Sequence, residues 1–253
     1  DGQQVGVVGA TTPLLRSISS PGDDVVVSPP AVDREDITAL AGVLQPEIDA
    51  LTNQGVDKIV LTTHLQQLDN ERQLARQLRG VDVILAGGSD TRLADETDRL
   101  RTGDEREGTY PVFETNAEGD PVAIVSSDGN YQYVGRLVVE FNPDGTIVPD
   151  SIDPAVSGAF ATDAQGVVET GNFAPDPVVT QVTEAVGEVI FTKEGQQFGS
   201  TQFFINGERS DVRTQETNLG NLTADANLAA AKQVDPSAVV SIKNGGGIRA
   251  SIG

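Results

Sequence analysis

The stretch VDKIVLTTHLQQLDNERQLARQLRGVDVILAGGSD, residues 56–90, decides the fold. It opens with an apolar run that ends at His64, continues through an amphipathic segment at 68–80, and closes with a second apolar run at 81–87. Short apolar runs of this kind are typical of buried strands, and the middle segment has helical periodicity. The order strand, helix, strand predicts a βαβ unit with parallel strands and a right-handed crossover.

Polar and glycine residues follow both predicted strands. His64 ends the first strand, and the turn Gly87-Gly88-Ser89-Asp90 follows the second. Because ligands of parallel sheets bind beyond the carboxyl ends of the strands, we expect His64 and this turn to be neighbours in space. His64 and Asp90 are then candidate metal ligands. The alternative interpretation is that Asp90 caps the next turn and that Gly87 and Gly88 only allow the chain to reverse.

The remaining elements are predicted from periodicity and turn residues. Helical spacing of apolar residues predicts three more helices, at 32–55, 176–190 and about 218–233. Alternation and apolar runs predict a short strand within 5–13 that leads into a loop closed by Pro13, a set of antiparallel hairpins across 108–148, and a strand at 237–244. Asp33 and Asp36 are both candidate caps of the first helix, which Pro46 is expected to divide. The segment 153–177, rich in Gly, Pro, Ala and Asp, predicts a linker.

Composition excludes some classes of function. The net charge is −21, from 38 acidic and 17 basic residues, and such a surface repels nucleic acid and anionic membranes. No apolar run is long enough to predict a membrane span. The chain has no cysteine and one histidine, so a metal site would need oxygen ligands beside His64. The charge indicates either simple solubility or a salty or extracellular setting.

Several stretches together, in family order, resemble the 5′-nucleotidase family of two-domain metallophosphoesterases. They are VGVVGATTP, ISSPGDDV, GVDKIVLTTHL, GVDVILAGGSDT, NYQYVGRLVVEF, ERSDVRTQETNLGNLTADA and NGGGIR. The most specific signal is ETNLGNLTADA followed by NGGGIR. Members of this family hydrolyse nucleoside 5′-phosphates and related phosphate esters with two metal ions, so the resemblance implies a phosphoric ester hydrolase.

The resemblance also implies an architecture and a location. It implies an α/β fold in which 1–152 is the second half of a four-layer α/β/β/α metallophosphoesterase domain. Residues 153–192 would be a linker and linker helix, and 193–253 part of an α/β nucleotide-binding domain. Family members are secreted, periplasmic or surface-anchored, so we expect an extracellular, periplasmic or cell-surface protein. We also expect the chain to be an incomplete piece, with the remaining segments of the same protein as its partners.

The family pattern points to a divergent metal site. The family's early Asp-x-His, Gly-Asp and Asn-His-Glu motifs have no counterpart in this chain. His64 matches a later strand-end histidine, and the Gly-His-x-His turn falls on 87–90. Gly88 replaces the first histidine of that turn and Asp90 the second. The resemblance therefore implies a divalent metal, Mn, Zn, Mg or Ca, held by His64 and Asp90 with ligands from other segments.

The residues of a second candidate site match the family pattern more completely than those of the metal site. By resemblance, Arg213 and Arg249 hold the substrate phosphate, and Asn244 lies near the nucleotide. Guanidinium groups offer a bidentate fork to phosphate oxygens, and glycines such as Gly246 and Gly247 let an anion approach the backbone. The alternative to the whole enzymatic interpretation is a catalytically impaired relative that acts as an extracellular nucleotide-binding or structural protein.

Overall fold

The computed structural model describes residues 2–19, 21–31, 34–195 and 199–252. The chain divides into two compact units, Asp1–Ala174 and Pro175–Gly253. The predicted division into 1–152, 153–192 and 193–253 stays a prediction.

The first unit contains a five-stranded sheet. Its strands are β1 (Gly6–Thr11), β2 (Ile59–His64), β3 (Val83–Gly87), β4 (Val112–Thr115) and β5 (Pro121–Val125), in the order β1-β2-β3-β5-β4. The pairs β1–β2, β2–β3 and β3–β5 are parallel, and β4 is an antiparallel edge strand. The predicted α/β class and the βαβ unit of residues 56–90 are confirmed.

Helices α2 (Ile37–Thr52) and α3 (Leu68–Ala75) pack on one face of this sheet. The short helix α1 (Leu15–Ile18) follows β1 and contains no buried residue. Ile48 of α2, Leu74 of α3 and Leu61 of β2 are fully buried in one core cluster. Alternate strand residues face this core, so β2 and β3 present their other side chains, His64 among them, on the opposite face or at the sheet edge.

Helix α2 begins at a predicted capping residue, but it is not divided at Pro46. Asp36 caps it, since its Oδ1 accepts a hydrogen bond from the Ala39 N–H at 2.9 Å, while Asp33 lies outside the described residues. The expected division at Pro46 was wrong, because the helix runs through this residue. Leu44 and Ile48, on either side of the proline, are both buried in the same core, and this packing outweighs the hydrogen bond that proline cannot make.

The rest of the first unit departs from the predicted row of hairpins. It contains β6 (Tyr133–Arg136), β7 (Glu140–Phe141), β8 (Ile147–Val148), β9 (Gly158–Ala161) and α4 (Ala164–Glu169). The hairpins β4–β5 and β7–β8 form as predicted, but β6 pairs with β9 rather than with β5. The hairpin predicted across Asp128-Gly129-Asn130 was therefore wrong, because β5 is already paired on both edges by β3 and β4.

The segment 153–174 is not an unstructured linker. It contains β9 and α4, which belong to the first unit. Two of its glycines serve close packing rather than flexibility. A Cβ at Gly158 would overlap the Asp98 carboxylate, and one at Gly166 would overlap the Ala161 carbonyl oxygen. Composition indicated a linker because it cannot distinguish these two uses of glycine.

The second unit is helical in its described part. It contains α5 (Pro177–Glu194), α6 (Arg209–Thr214) and α7 (Asn218–Val234), so the helices predicted at 176–190 and 218–233 are confirmed. The strand predicted at 237–244 was wrong: this segment has no ladder partner, and Val239, Val240 and Ile242 are exposed. An apolar run forms a strand only where another strand pairs with it. None of the helices in the described ranges is both long enough and apolar enough to span a membrane.

Candidate functional site

The parallel register gathers three residues at the carboxyl edge of the sheet. Thr11, His64 and Gly87 are direct partners across β1, β2 and β3. The imidazole of His64 lies against the turn that follows β3, because a Cβ built on Gly88 would lie 2.9 Å from its Cδ2 and 3.0 Å from its Nε2. The structure therefore brings His64 to the Gly87–Asp90 turn, as the strand pattern predicts.

Gly88 occupies a position that only glycine fits easily. Its φ is +87°, in the left-handed region, and an added Cβ would also lie 2.8 Å from the carbonyl oxygen of Leu65. The imidazole of His64 takes the space on the other side. A ligand side chain at position 88 would therefore require both the backbone and His64 to move.

Asp90 lies between this turn and a second loop. Its backbone has a φ of +54°, and a Cβ built on Gly129 would lie 2.8 Å from its Oδ1. The Gly129 loop is held in place by Arg92, whose Nε and Nη2 donate to Asp128 Oδ2 at 2.8 and 2.6 Å. Arg92 also forms an antiparallel β-bridge with Ser127. These contacts fix the backbone on both sides of the Asp90 carboxylate.

The loop beside Asp90 has unusual backbone geometry. Asp128, Asn130 and Tyr131 all have positive φ, at 73°, 56° and 57°. Such conformations cost free energy in non-glycine residues and persist where the surroundings hold them. Here the Arg92–Asp128 pair supplies part of that restraint. Sequence reasoning missed this pair, and the only available signal was the turn composition of 128–130.

The donors at this edge do not by themselves fit a resident metal ion. No group of three or more His, Cys, Asp or Glu side chains that could hold a metal occurs in the described parts of the chain. His64 and Asp90 are both exposed. Zinc takes three or four protein ligands, and calcium takes six to eight oxygens. His64 and Asp90 could supply at most part of such a shell.

A buried carboxylate lies on the core side of β2, next to Thr63, the neighbour of His64 in the strand. Glu71 of α3 is fully buried, and it accepts a hydrogen bond at 2.9 Å from the hydroxyl of Thr63, the residue before His64. Burial raises the pKa of Glu71 to about 7, and its Oε2 has no hydrogen-bond partner among the described residues. Desolvation favours the protonated form, and it outweighs the hydrogen bonds donated to the carboxylate, which favour the charged form. Sequence reasoning missed Glu71, since an acidic residue in the first turn of a helix is ordinary.

The second candidate site is built around a glycine turn. Gly245–Gly247 form one turn of 3₁₀ helix, and Asn244 caps it by accepting a hydrogen bond from the Gly246 N–H at 3.2 Å. A Cβ on Gly245 would overlap the carbonyl oxygen of Val212 and lie 3.5 Å from the Cα of Arg213. The structure thus brings Asn244, Gly246 and Gly247 together with Arg213.

Both arginines of this site are open to solvent. Arg213 lies in the last turn of α6, near the glycine turn, and Arg249 lies two residues after Gly247. Both are exposed, and among the described residues neither forms a salt bridge. Their guanidinium groups are therefore available to an anion. The structure gives the position of each predicted site residue, while their roles as ligands stay predictions.

Comparison with known proteins supports the same family. No protein-family model matches the chain. The chain is 28% identical to a rat 5′-nucleotidase over 99% of its own length and 40% of that protein. It is 28% identical to a snake venom 5′-nucleotidase of Naja atra over 99% of its length and 44% of that protein.

A solved structure gives the same result for the fold. The crystal structure of a 5′-nucleotidase precursor from Thermus thermophilus matches with a TM-score of 0.73 and 29% identity, over 99% of this chain and 44% of that one. The chain thus spans less than half the length of these relatives. The predicted resemblance is confirmed: the chain is homologous, along nearly its whole length, to part of the 5′-nucleotidases.

Proposed function

We propose that the protein hydrolyses nucleoside 5′-phosphates or related phosphate esters in a metal-dependent reaction. The observation that carries this proposal is the similarity of 99% of the chain to proteins named 5′-nucleotidase, by sequence and by structure. Those relatives support hydrolase activity at the level of the family. Because the chain spans about 40% of the rat relative, the activity is assigned to a protein longer than these 253 residues.

In this proposal His64 and Asp90 provide two ligands of a divalent metal, Mn, Zn, Mg or Ca. Their place at the carboxyl edge of a parallel sheet supports the assignment. The other ligands would come from remaining segments of the same protein, since the described residues contain no group of three donors. Carboxylate in place of histidine at position 90 shifts the preference toward ions that favour oxygen ligands.

The glycine turn is the proposed phosphate subsite. Asn244 holds the turn in shape, so that the backbone at Gly246 and Gly247 stays accessible to an anion. Arg213, beside the turn, and Arg249, just after it, would each offer two parallel N–H donors to the phosphate oxygens. These residues would bind and orient the ester, and they take no part in bond cleavage.

Gly88 supports a second candidate function. A side chain at this position meets His64 and Leu65, so the turn cannot regain its first ligand by a simple substitution. A protein with this defect and an intact glycine turn would bind nucleotides without hydrolysing them. In that case it would act as an extracellular nucleotide-binding or structural protein.

The proposed setting is extracellular, periplasmic or on the cell surface. A relative named from snake venom supports secretion, and the net charge of −21 fits a salty medium. The proposed partners are a nucleotide or other phosphate ester and the remaining segments of the protein. The same charge argues against nucleic acid as a partner.

The test is phosphate release from AMP by the purified full-length protein, with added Mn²⁺ and then with EDTA. We expect release that requires the metal and that EDTA stops. Asp90→Ala should lower the amount of bound metal, with Asp90→Asn as the isosteric comparison. Arg249→Ala should weaken AMP binding several-fold, whereas Arg106→Ala, at another exposed arginine, should leave it unchanged.

Two results would contradict these assignments. AMP binding without phosphate release under any divalent metal would replace the hydrolase by the nucleotide-binding protein. Unchanged metal content in Asp90→Ala would make Asp90 a turn residue, and unchanged AMP affinity in Arg249→Ala would remove the phosphate role of Arg249.

A further inference from the structure

We propose that Lys243 is a third cation of the glycine turn and makes this subsite prefer phosphate groups of higher charge. The inference rests on the proposed function in one respect, since it takes the turn as a phosphate subsite. It concerns binding alone, so it can hold or fail whether or not the protein is a hydrolase.

The ammonium group of Lys243 lies against the turn. A Cβ built on Gly247 would lie 3.4 Å from both Cε and Nζ of Lys243. Arg213 lies at the opposite end, where a Cβ on Gly245 would lie 3.5 Å from its Cα. The turn is therefore flanked by the lysine side chain at Gly247 and by the backbone of Arg213 at Gly245, and Arg249 follows it.

The charge of this region differs from that of the chain. The whole protein carries −21, but residues 199–252 hold equal numbers of basic and acidic residues. The basic ones are Arg209, Arg213, Lys232, Lys243 and Arg249, and the acidic ones are Glu208, Asp211, Glu216, Asp225 and Asp235. A locally neutral region in a strongly acidic protein lets an anion approach cations that the overall field would otherwise oppose.

Among the described residues, no salt bridge joins a carboxylate to Arg213, Lys243 or Arg249. Three carboxylates of this region accept hydrogen bonds from neutral donors instead. Ser251 donates to Glu208 at 3.0 Å, Asn206 to Asp211 at 2.7 Å, and Asn221 to Glu216 at 2.8 Å. No salt bridge is described for Lys243, so its charge remains available to a ligand.

Lysine and arginine differ in what they recognise. The two guanidinium groups can each hold two oxygens of one phosphate through their planar forks, whereas the lysine ammonium is a compact point charge with rotatable donors. The benefit of a point charge grows with the charge of the ligand. Lys243 should therefore matter more for a nucleoside diphosphate than for a monophosphate, and not at all for a nucleoside.

The test compares the binding of adenosine, AMP and ADP to the full-length protein by calorimetry, in EDTA so that no metal contributes. Lys243→Met removes the charge and keeps an unbranched stem. We expect ADP affinity to fall about fivefold, AMP affinity to fall less, and adenosine affinity to stay constant. Lys243→Arg should restore most of the loss. Lys232→Met, at another exposed lysine of the same unit, is the control for net charge.

Three outcomes would overturn the inference. Unchanged ADP affinity in Lys243→Met would show that the lysine does not contact the ligand. Equal losses in Lys232→Met and Lys243→Met would reduce the effect to net charge, and an equal loss for adenosine would mean a structural role. Phosphate release from AMP, measured separately with Mn²⁺, tests the hydrolase. A failure there with the predicted ADP effect intact would remove the proposed function and leave Lys243 in place.

Discussion

Glu71 shows how one side chain couples the fold to pH. Its carboxyl group is fully buried, and only the Thr63 hydroxyl is described as donating a hydrogen bond to it through a side chain. Desolvation is the main cause that raises its pKa to about 7, and the neighbouring Glu35 adds to the shift. The native state therefore keeps a proton on Glu71 that the unfolded state releases above about pH 4.5.

Glu71→Gln should remove this pH dependence. In the wild type, the stabilising contribution of protonated Glu71 is complete below about pH 4.5 and is lost as the pH rises to about 7. The amide mimics the protonated acid at every pH. The variant should therefore gain up to about 3 kcal/mol of unfolding free energy relative to wild type between pH 5 and pH 8. Urea unfolding at the two pH values measures the difference.

Asp82 provides an internal comparison for that experiment. Burial also raises its pKa to about 7, and its Oδ2 accepts a hydrogen bond from the Ile59 N–H at 2.7 Å. Because Asp82 is present in both proteins, its contribution cancels in the difference between them. A difference between Glu71→Gln and wild type that does not change from pH 5 to pH 8 would mean that Glu71 is already charged in the native state.

At the residue scale, the sequence could predict positions that follow from strand ends. His64 and the Gly87–Asp90 turn come together because parallel strands align their carboxyl ends, and this rule needs no side-chain detail. The Arg92–Asp128 pair could not be predicted in the same way. Its members are 36 positions apart and meet only because β5 joins the sheet beside β3.

Helix α2 is an element whose start depends on one side chain. Asp36 Oδ1 accepts from the Ala39 N–H and satisfies one of the donors that a helix leaves unpaired at its beginning. Asp36→Ala should destabilise the protein by about 1 kcal/mol, which urea unfolding at pH 7 would measure. Asp36→Asn keeps the accepting oxygen and should stay close to wild type. Equal losses in the two variants would assign the effect to the charge of Asp36 rather than to its capping bond.

Helices with continuous local periodicity were predicted, whereas the strand pairing of β6 was not. The helices α2, α5 and α7 repeat their apolar residues along a continuous stretch, so the sequence carries the signal. The strands β6 and β9 pair although more than 20 residues lie between them in the sequence, and those residues include the hairpin β7–β8. No local pattern records that choice. For the same reason, an apolar run at 237–244 was predicted as a strand although no partner lies beside it.

For the whole molecule, net charge can be predicted most directly, because it follows from counting the acidic and basic residues of the sequence. The imbalance of 38 acidic to 17 basic residues gives a formal net charge of −21. Exposed ion pairs such as Arg79 with Asp49 contribute little stability each. Repulsion among the remaining carboxylates therefore dominates the electrostatic part of the stability.

Added salt should therefore stabilise the protein. At about 0.01 M ionic strength charges interact over about 30 Å, and at 1 M over about 3 Å, so NaCl should weaken the repulsion far more than the few ion pairs. We expect the midpoint of thermal unfolding at pH 7 to rise with NaCl, mostly below about 0.5 M, where screening changes fastest. Near pH 4.2, the isoelectric point of the sequence, the same salt series should change the midpoint little.

A midpoint that falls with NaCl at pH 7 would mean that the ion pairs outweigh the repulsion. A rise that is equally large at both pH values would mean that salt acts through exclusion from the protein surface rather than through screening.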